Sequence, residues 1–141
     1  MTNSRRPQST FTIRTTTRNQ FLDITAEVQT AVRALGVADG IATVFCPHTT
    51  AAITINENAD PSVQQDMLHS LEQLIPPHQA HFTHSEGNSD SHLKSTLVGA
   101  SEQVIVQGGK LVLGVWQAIY FAEFDGPRTR TVHVAVVAAK A

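Results

Sequence analysis

The sequence predicts an α+β fold, with a mostly antiparallel sheet and two main helices in a single compact domain. Two stretches carry apolar residues at the three- and four-residue spacing of a helix face. Several short runs are rich in β-branched residues, and the last of these runs follow one another without an intervening helix. The chain has 141 residues, which suits one domain. We assign residues 10–141 to this domain and residues 1–9 to a flexible N-terminal tail.

The first half of the chain predicts a strand, a helix and two further strands. Apolar and polar residues alternate over 10–15, as in a half-buried strand. A helical stripe follows over 21–35, and Gly36 provides a stop because glycine readily adopts the left-handed conformation of a helix end. Residues 40–46 (GIATVFC) and 50–56 (TAAITIN) are apolar and β-branched, which predicts strands covered on both faces.

The second main helix has a well-defined start. Asp60 can accept hydrogen bonds from free backbone N–H groups, and Pro61 loses no hydrogen bond at the first helical position. An apolar stripe follows. Residues 76–91 are polar and without period, and loops of this length are usually functional or disordered. Residues 91–97 predict a short helix that Gly99 ends.

The last third of the chain predicts only strands. Residues 103–107 and 110–115 flank Gly108-Gly109, a pair that supplies the positive φ angles of a two-residue hairpin turn. Two further strands are predicted over 116–124 and 129–138, joined by an Asp-Gly-Pro turn. Strands joined by such short connections pair antiparallel.

Composition argues against several classes of function. Charged residues make up 16% of the chain, and the net charge is −2. No basic run is present, which argues against nucleic-acid binding. No apolar stretch is long enough to span a membrane, and the first residues lack a secretory signal. The single Cys46 fits a reducing, cytoplasmic location. The low charge suggests that other copies of the chain cover part of the surface.

Seven histidines are the most unusual feature of the composition. His84 and His92 bracket a segment rich in Gly and Ser that is flexible enough to bring both rings to one centre. Imidazole is the commonest metal ligand near neutral pH, although this spacing matches no standard zinc motif. His48 lies between two predicted strands, where its side chain can project over the sheet edge. The remaining four are predicted to be surface or structural residues: His69, His78, His81 and His133.

Carboxylates next to the apolar strands are further candidate site residues. Glu57 and Asp60 follow the second buried strand, and either helix capping or a binding cluster explains them. Glu123 lies within an apolar strand, where a carboxylate needs a partner. Arg128 or Arg130 is available across the next turn. Two interpretations of Glu123 are open. It forms an ion pair that fixes the strand register, or it is an acid or base whose pKa is set by its pairing.

Three segments together resemble the YjbQ family: HTTAAITINENADP at 48–61, HSEGNSDSHLKSTLVG at 84–99 and LGVWQAIYFAEFDGPRTR at 113–130. They occur in the order and spacing of that family, and the resemblance runs from about Phe11 to Ala139. It implies a homotrimer of α+β protomers, whose shared polar residues gather in a cleft near the subunit boundary where metal ions or small anions bind. The family is often labelled secondary thiamine-phosphate synthase.

The resemblance also assigns roles to individual residues. A three-imidazole site for a divalent metal, zinc above all, would consist of His48, His84 and His92. The candidate general bases are Glu57 and Glu123. Many members have a further histidine where this chain has Asp90, which could replace it as a ligand. The residues expected to contact the ligand are Asn56, Asp60, Lys94, Trp116, Gln117 and Arg128.

Two functional hypotheses follow from this resemblance. In the first, the protein is an enzyme that joins a pyrimidine diphosphate to a thiazole phosphate and releases pyrophosphate, a reaction that needs cationic groups around the leaving diphosphate. The chain lacks the large phosphate-binding apparatus of such transferases, so this activity could be incidental to another one. In the second, a non-enzymatic homotrimer binds a metal or a small anionic ligand. An open, water-filled metal position would favour the enzyme.

Overall fold

Three helices and eight strands are present in a computed structural model that describes residues 8–140. Most of the predicted tail therefore lies outside the described residues, and its last two residues belong to the first strand. In chain order the elements are β1 (Gln8–Arg14), β2 (Gln20–Asp23), α1 (Thr25–Leu35), β3 (Gly40–Phe45), β4 (Ala51–Glu57), α2 (Pro61–Leu74), α3 (Ser89–Val98), β5 (Ser101–Gln107), β6 (Lys110–Leu111), β7 (Gln117–Glu123) and β8 (Thr129–Ala138).

The strands form two sheets rather than one. A five-stranded sheet has the order β1-β8-β3-β5-β6, and a three-stranded sheet has the order β2-β7-β4. All strand pairs in the described part of the chain are antiparallel. The predicted α+β class with a mostly antiparallel arrangement is therefore confirmed.

Two hydrophobic clusters hold the layers together. The larger one joins α1 to the inner faces of both sheets, through Val32, Val44, Ile53, Phe121 and Val134 among others. The smaller cluster lies around Ala52, Ala122 and Phe124, where side chains of α2 and α3 pack against the three-stranded sheet. That sheet is thus covered on both sides, as the apolar runs of β4 and β7 predict.

Residues 20–23 form the strand β2, where the sequence predicted the start of the first helix. This strand pairs with β7, for example Phe21 with Ala122. The helix α1 begins only at Thr25, whose backbone N–H donates to Asp23 Oδ1 at 2.9 Å. A run of four residues is too short to show strand alternation, and pairing with β7 outweighs the local helical spacing.

The hairpin between β5 and β6 is present, but β6 is shorter than the predicted 110–115. Gly108 and Gly109 both have positive φ angles, as the two-residue turn requires. Beyond β6 the chain leaves the sheet in a turn, in which the N–H of Gly114 donates to Gln117 Oε1 at 2.7 Å.

The second main helix and the last strand agree with the sequence. Asp60 Oδ1 accepts a hydrogen bond from the Ser62 N–H at 2.9 Å, and Pro61 is the first helical residue of α2. The strand β8 covers the predicted 129–138. No helix in the described chain is long and apolar enough to cross a membrane.

Candidate functional site

Three turns that are distant in sequence meet at one end of β7. They are the turn before β4, the loop before α3 and the connection from β7 to β8. Together they line a polar cavity of about 420 Å³, a volume typical of small-molecule sites. Its lining includes three imidazoles and two guanidinium groups, from His48, His84, His92, Arg128 and Arg130.

His48 is anchored to the five-stranded sheet. Its Nε2 accepts a hydrogen bond from the backbone N–H of Thr131 at 2.9 Å, and its ring lies edge-on to Phe121. Burial and the nearby positive charge of Arg130 lower the pKa of His48, which favours the neutral ring. Because Nε2 acts as an acceptor, the neutral ring carries its proton on Nδ1. That nitrogen is therefore a hydrogen-bond donor.

His84 and His92 lie side by side, with ring centroids 5.4 Å apart and ring planes at 77°. The loop between them closes through a hydrogen bond from the Gly87 N–H to the His84 carbonyl at 3.1 Å. Gly87 has a φ of 71°, a conformation that glycine adopts without strain. The chain then enters α3, and His92 lies near the start of this helix. The structure thus brings together the two rings that the sequence singled out.

The metal centre predicted from His48, His84 and His92 remains a prediction. Within residues 8–140, no three His, Cys, Asp or Glu side chains are arranged to hold a metal ion. In the described structure the Nε2 lone pair of His48 is engaged by the Thr131 N–H, and its Nδ1 carries the proton. Metal ligation requires a free lone pair on a neutral imidazole. The structure leaves His84 and His92 as a pair that could share a metal.

Glu123 is fully buried, and both of its carboxylate oxygens are occupied. Oε1 accepts from Arg130 Nε and from the Thr15 hydroxyl, each at 2.8 Å. Oε2 accepts from a second nitrogen of Arg130 and from two backbone N–H groups. The partner of Glu123 is thus Arg130 rather than Arg128, and the pair ties β7 to β8. A carboxylate with this many donors fits the register-fixing alternative and not a general base.

Arg128 and Asn88 lie on either side of Asp125. Arg128 is half exposed and donates to the Asp125 carboxylate at 3.0 Å, while Asn88 Nδ2 donates to the same group at 2.8 Å. Asn88 is only 6% exposed, and its Oδ1 has no hydrogen-bond partner among the described residues. An orphaned buried acceptor is costly, so a ligand that brings a donor would stabilise this position.

Several predicted site residues lie at the opposite end of the small sheet. In the antiparallel pair of β4 and β7, Ala51 faces Glu123 at one end and Glu57 faces Gln117 at the other. A strand of this length spans about 20 Å. The predicted residues at or beyond the far end are Asn56, Glu57, Asp60, Trp116 and Gln117.

These distant residues have local structural contacts. Asp60 caps α2, and Asn56 Oδ1 accepts from the Glu57 N–H at 2.8 Å. The sequence grouped them with His48 because one short strand separates them, but the two ends of a strand lie at opposite edges of a sheet. Within a single chain, Glu57 is too far away to act as a base in the polar cavity.

Lys94 and Asp90 belong to a buried ion network on α3. Asp90 accepts two hydrogen bonds from the Arg18 guanidinium, each at 3.0 Å. Lys94 Nζ lies 3.2 Å from Asp90 and 2.5 Å from Glu72, so two carboxylates already neutralise its charge. Neither residue lines the polar cavity. Both residues anchor the helix that carries His92.

The sequence did not reveal some residues that line the site. The sequence places Asn88 in a flexible loop, but in the structure it is buried against Asp125. A second cavity adjoins the polar one, and its lining includes the half-buried Phe82 and His81, which is exposed as the sequence predicts. A loop has no apolar period, so no sequence signal marks which of its side chains turn inward.

The other histidines lie outside both cavities. His69 is exposed on α2, and His78 is exposed in the loop that follows. His133 Nδ1 lies 2.8 Å from the Thr10 hydroxyl, and its ring stacks on Phe45 at the outer face of the five-stranded sheet.

The chain is thus a small two-sheet α+β protein with a histidine-lined cavity at one end of a sheet. The family model described as UPF0047 protein YjbQ-like matches residues 9–139. The chain therefore belongs to the YjbQ (UPF0047) family, which confirms the resemblance seen in the sequence.

Individual relatives extend over nearly the whole chain. UPF0047 protein YugU of Bacillus subtilis is 52% identical over 125 residues, which cover 89% of this chain and 95% of that one. A UPF0047 protein of Methanocaldococcus jannaschii is 52% identical over 130 residues, covering 92% and 94%. A crystal structure of an uncharacterized conserved YjbQ/UPF0047 protein from Clostridium acetobutylicum has a TM-score of 0.88 at 52% identity, covering 92% and 99%.

Proposed function

We propose that this protein binds a small, phosphate-bearing anion in the polar cavity. The observation that carries the proposal is the concentration of hydrogen-bond donors there: His48 Nδ1–H, the rings of His84 and His92, and the Arg128 guanidinium. Imidazole and guanidinium groups suit the oxygen atoms of a phosphate. The unpartnered Oδ1 of Asn88 suits a ligand hydroxyl or a protonated phosphate oxygen.

The carboxylates that line the cavity repel this anion only weakly. Asp125 is held by Arg128 and Asn88, so its charge is partly compensated. Glu86 is exposed, where water and salt screen its repulsion. The Arg128 side chain is 51% exposed. The guanidinium also donates from Nε to the Asp125 carbonyl at 2.8 Å, so it would contact a ligand through the N–H donors that Asp125 does not use.

Binding of inorganic phosphate and pyrophosphate to the purified protein tests the proposal. Calorimetric titration should show saturable binding, and Arg128→Ala should weaken it by about tenfold or more, since a charge-assisted hydrogen bond is lost. Arg33→Ala is the matched control, because Arg33 is exposed in the last turn of α1 and lines no part of the cavity. Failure of both anions to bind, or equal losses in the two variants, would contradict the proposal.

A transferase of thiamine-phosphate synthase type is the second candidate function. In that reaction the carbon–oxygen bond to the diphosphate breaks, pyrophosphate leaves with the electron pair, and the thiazole nitrogen forms the new carbon–nitrogen bond. The donors of the polar cavity suit the leaving diphosphate. However, both carboxylate oxygens of Glu123 already accept hydrogen bonds, and Glu57 lies about 20 Å away. An imidazole would therefore have to carry out any proton transfer. An assay of thiamine phosphate formation from both substrates distinguishes this enzyme from the non-enzymatic binding protein.

A divalent metal, zinc above all, is proposed as a second occupant of the polar cavity. His84 and His92 would hold it, and the bound anion or solvent would complete the coordination shell. Metal analysis of the purified protein tests this part. An unchanged metal content in both His84→Ala and His92→Ala would contradict it.

We propose that the outer face of the five-stranded sheet forms the interface of a homotrimer. The described residues of this face on β3, β5 and β8 include no Lys, Arg, Asp or Glu, and Ile41, Phe45, Ile105 and Val137 on it have exposures of 42% to 74%. Ile41, Ile105 and Val137 are neighbours on adjacent strands, and a group of exposed apolar side chains of this kind often marks an interface between proteins. Sedimentation equilibrium should give a trimer of the 15.3 kDa chain, and Ile105→Lys should shift it towards the monomer. A monomeric wild type would contradict the assembly.

A cytoplasmic location completes the proposal. Cys46 is the single cysteine of the chain, so no internal disulfide can form. The thiol is buried, and burial raises its pKa to about 11. Such a thiol stays protonated and unreactive near neutral pH, which fits a reducing compartment.

A further inference from the structure

The polar cavity contains hydrogen-bond acceptors as well as donors. Its imidazole and guanidinium donors are assigned above to the phosphate, but its lining also includes Glu86, Asn88 and Asp125. A fully ionised phosphate has no hydrogen to donate, so it leaves these acceptors unused. Apart from Pro47, every described residue in the lining has a polar side chain, so the wall offers little apolar surface. Both features concern the part of the ligand that is not phosphate.

Asp125 has one carboxylate oxygen that is free to accept. Arg128 at 3.0 Å and Asn88 at 2.8 Å both donate to its Oδ2. Its Oδ1 accepts no hydrogen bond from the described residues, although the Asp125 side chain is only 15% exposed. Hydrogen bonds to an ionised acceptor are stronger than those between neutral groups. A ligand O–H that reaches Oδ1 would therefore be held firmly.

Glu86 and Asn88 supply two further acceptors. Glu86 is exposed in the loop before α3, and it makes no hydrogen bond or ion pair with the described residues. Asn88 is 6% exposed, and its Nδ2 is fixed on Asp125 while its Oδ1 has no partner. Acceptors from the loop before α3 and from the β7–β8 connection thus require several donors from a single ligand.

We infer that the organic part of the ligand is polyhydroxylated, so that the ligand is a polyol phosphate or sugar phosphate. The inference rests on the proposed function, since it assigns the remainder of that same phosphate-bearing anion. The ligand's hydroxyl groups donate to the free acceptors, while its phosphate binds the imidazole and guanidinium groups. A ligand ammonium group would also suit carboxylates, but Arg128 and Arg130 line the same cavity and disfavour a further cation.

Three phosphate monoesters test this inference by calorimetric titration of the full-length protein. Glycerol 3-phosphate and propyl phosphate have the same carbon chain, and they differ only in the hydroxyl groups of the former. Glycerol 3-phosphate should bind about tenfold more tightly, since its hydroxyl groups meet charged acceptors. 2-Aminoethyl phosphate, which carries an ammonium group, should bind more weakly than glycerol 3-phosphate.

Glu86→Ala and a matched control locate the hydroxyl groups. In Glu86→Ala the preference for glycerol 3-phosphate over propyl phosphate should fall to about threefold or less, because a charged acceptor is lost. Reduced repulsion of the phosphate does not change this ratio, since both esters carry the same phosphate. Glu27→Ala should keep the full preference, because Glu27 is exposed in the first turn of α1 and does not line the polar cavity. Circular dichroism verifies that both variants are folded.

The possible results separate this inference from the proposed function. If propyl phosphate binds as tightly as glycerol 3-phosphate, if 2-aminoethyl phosphate binds more tightly than either, or if Glu86→Ala keeps the full preference, the assignment of a polyhydroxylated ligand is wrong while phosphate binding stands. If none of the three esters binds and inorganic phosphate also fails, the proposed function is wrong and this inference falls with it.

Discussion

Replacement of Arg130 by methionine should lower the free energy of unfolding by about 3–5 kcal/mol, because a buried charge loses its partner. Arg130 is 4% exposed, and Glu123 is fully buried against it. The variant would leave the carboxylate inside the protein without its cation, and it would also remove a 2.9 Å hydrogen bond to the Thr50 hydroxyl. Urea unfolding followed by circular dichroism measures the loss.

Arg128→Met is the matched control for this prediction. Arg128 also pairs with a carboxylate, that of Asp125, but its side chain is 51% exposed. Removing a surface pair of this kind should cost at most about 1 kcal/mol. Equal losses in the two variants would contradict the assignment of Glu123 and Arg130 as the pair that fixes β7 against β8.

Replacement of Asp90 by asparagine should cost about 3–5 kcal/mol, for the same physical reason as the loss of Arg130. Asp90 is fully buried and holds both Arg18 and Lys94. The substitution would leave Lys94, 1% exposed, with only Glu72 as a charged partner. Asp66→Asn is a suitable control, because Asp66 is exposed on α2 and should change the urea midpoint very little.

The same carboxyl should make the stability sensitive to acid. Burial opposes the ionisation of Asp90, but hydrogen bonds from Arg18 and Lys94 outweigh it and hold the pKa of Asp90 below its ordinary value. Such a group stabilises the fold above its unfolded pKa of about 3.9, and this contribution is lost as the pH falls through the folded pKa.

The free energy of unfolding, measured at a series of pH values below about pH 4, should therefore decrease more steeply with falling pH for the wild type than for Asp90→Asn. Parallel curves over this range would show that Asp90 does not titrate as described.

The fold was largely predictable where a local signal agrees with the tertiary arrangement. The cap formed by Asp60, with Pro61 behind it, predicted the start of α2, and the long β-branched run of β8 predicted that strand. The strand β2 was missed because its four residues share the spacing of the helix that follows, and only pairing with β7 reveals them as a strand. The division into two sheets depends on long-range pairing of this kind, which no local pattern encodes.

The candidate site was predictable in part for a related reason. His84 and His92 are joined by one loop, so their proximity follows from sequence, and the sheet brings His48 to the same cavity. The role of His48 was not predictable, because it depends on a hydrogen bond from Thr131 in a strand far along the chain. The buried ion pair of Lys94 was not predictable either, because its partner Glu72 is distant in sequence.

The polar cavity and the second cavity beside it are built from parts of the fold that can vary independently. His81 and Phe82 belong to the surface loop before α3, whereas Arg128 lies in the connection between two paired strands. Surface loops tolerate substitution and insertion better than sheet elements do. A lineage could therefore alter the second cavity through this loop while the polar cavity and the β7–β8 junction stay the same. His84 and His92 line both cavities, so a substitution of either would change both at once.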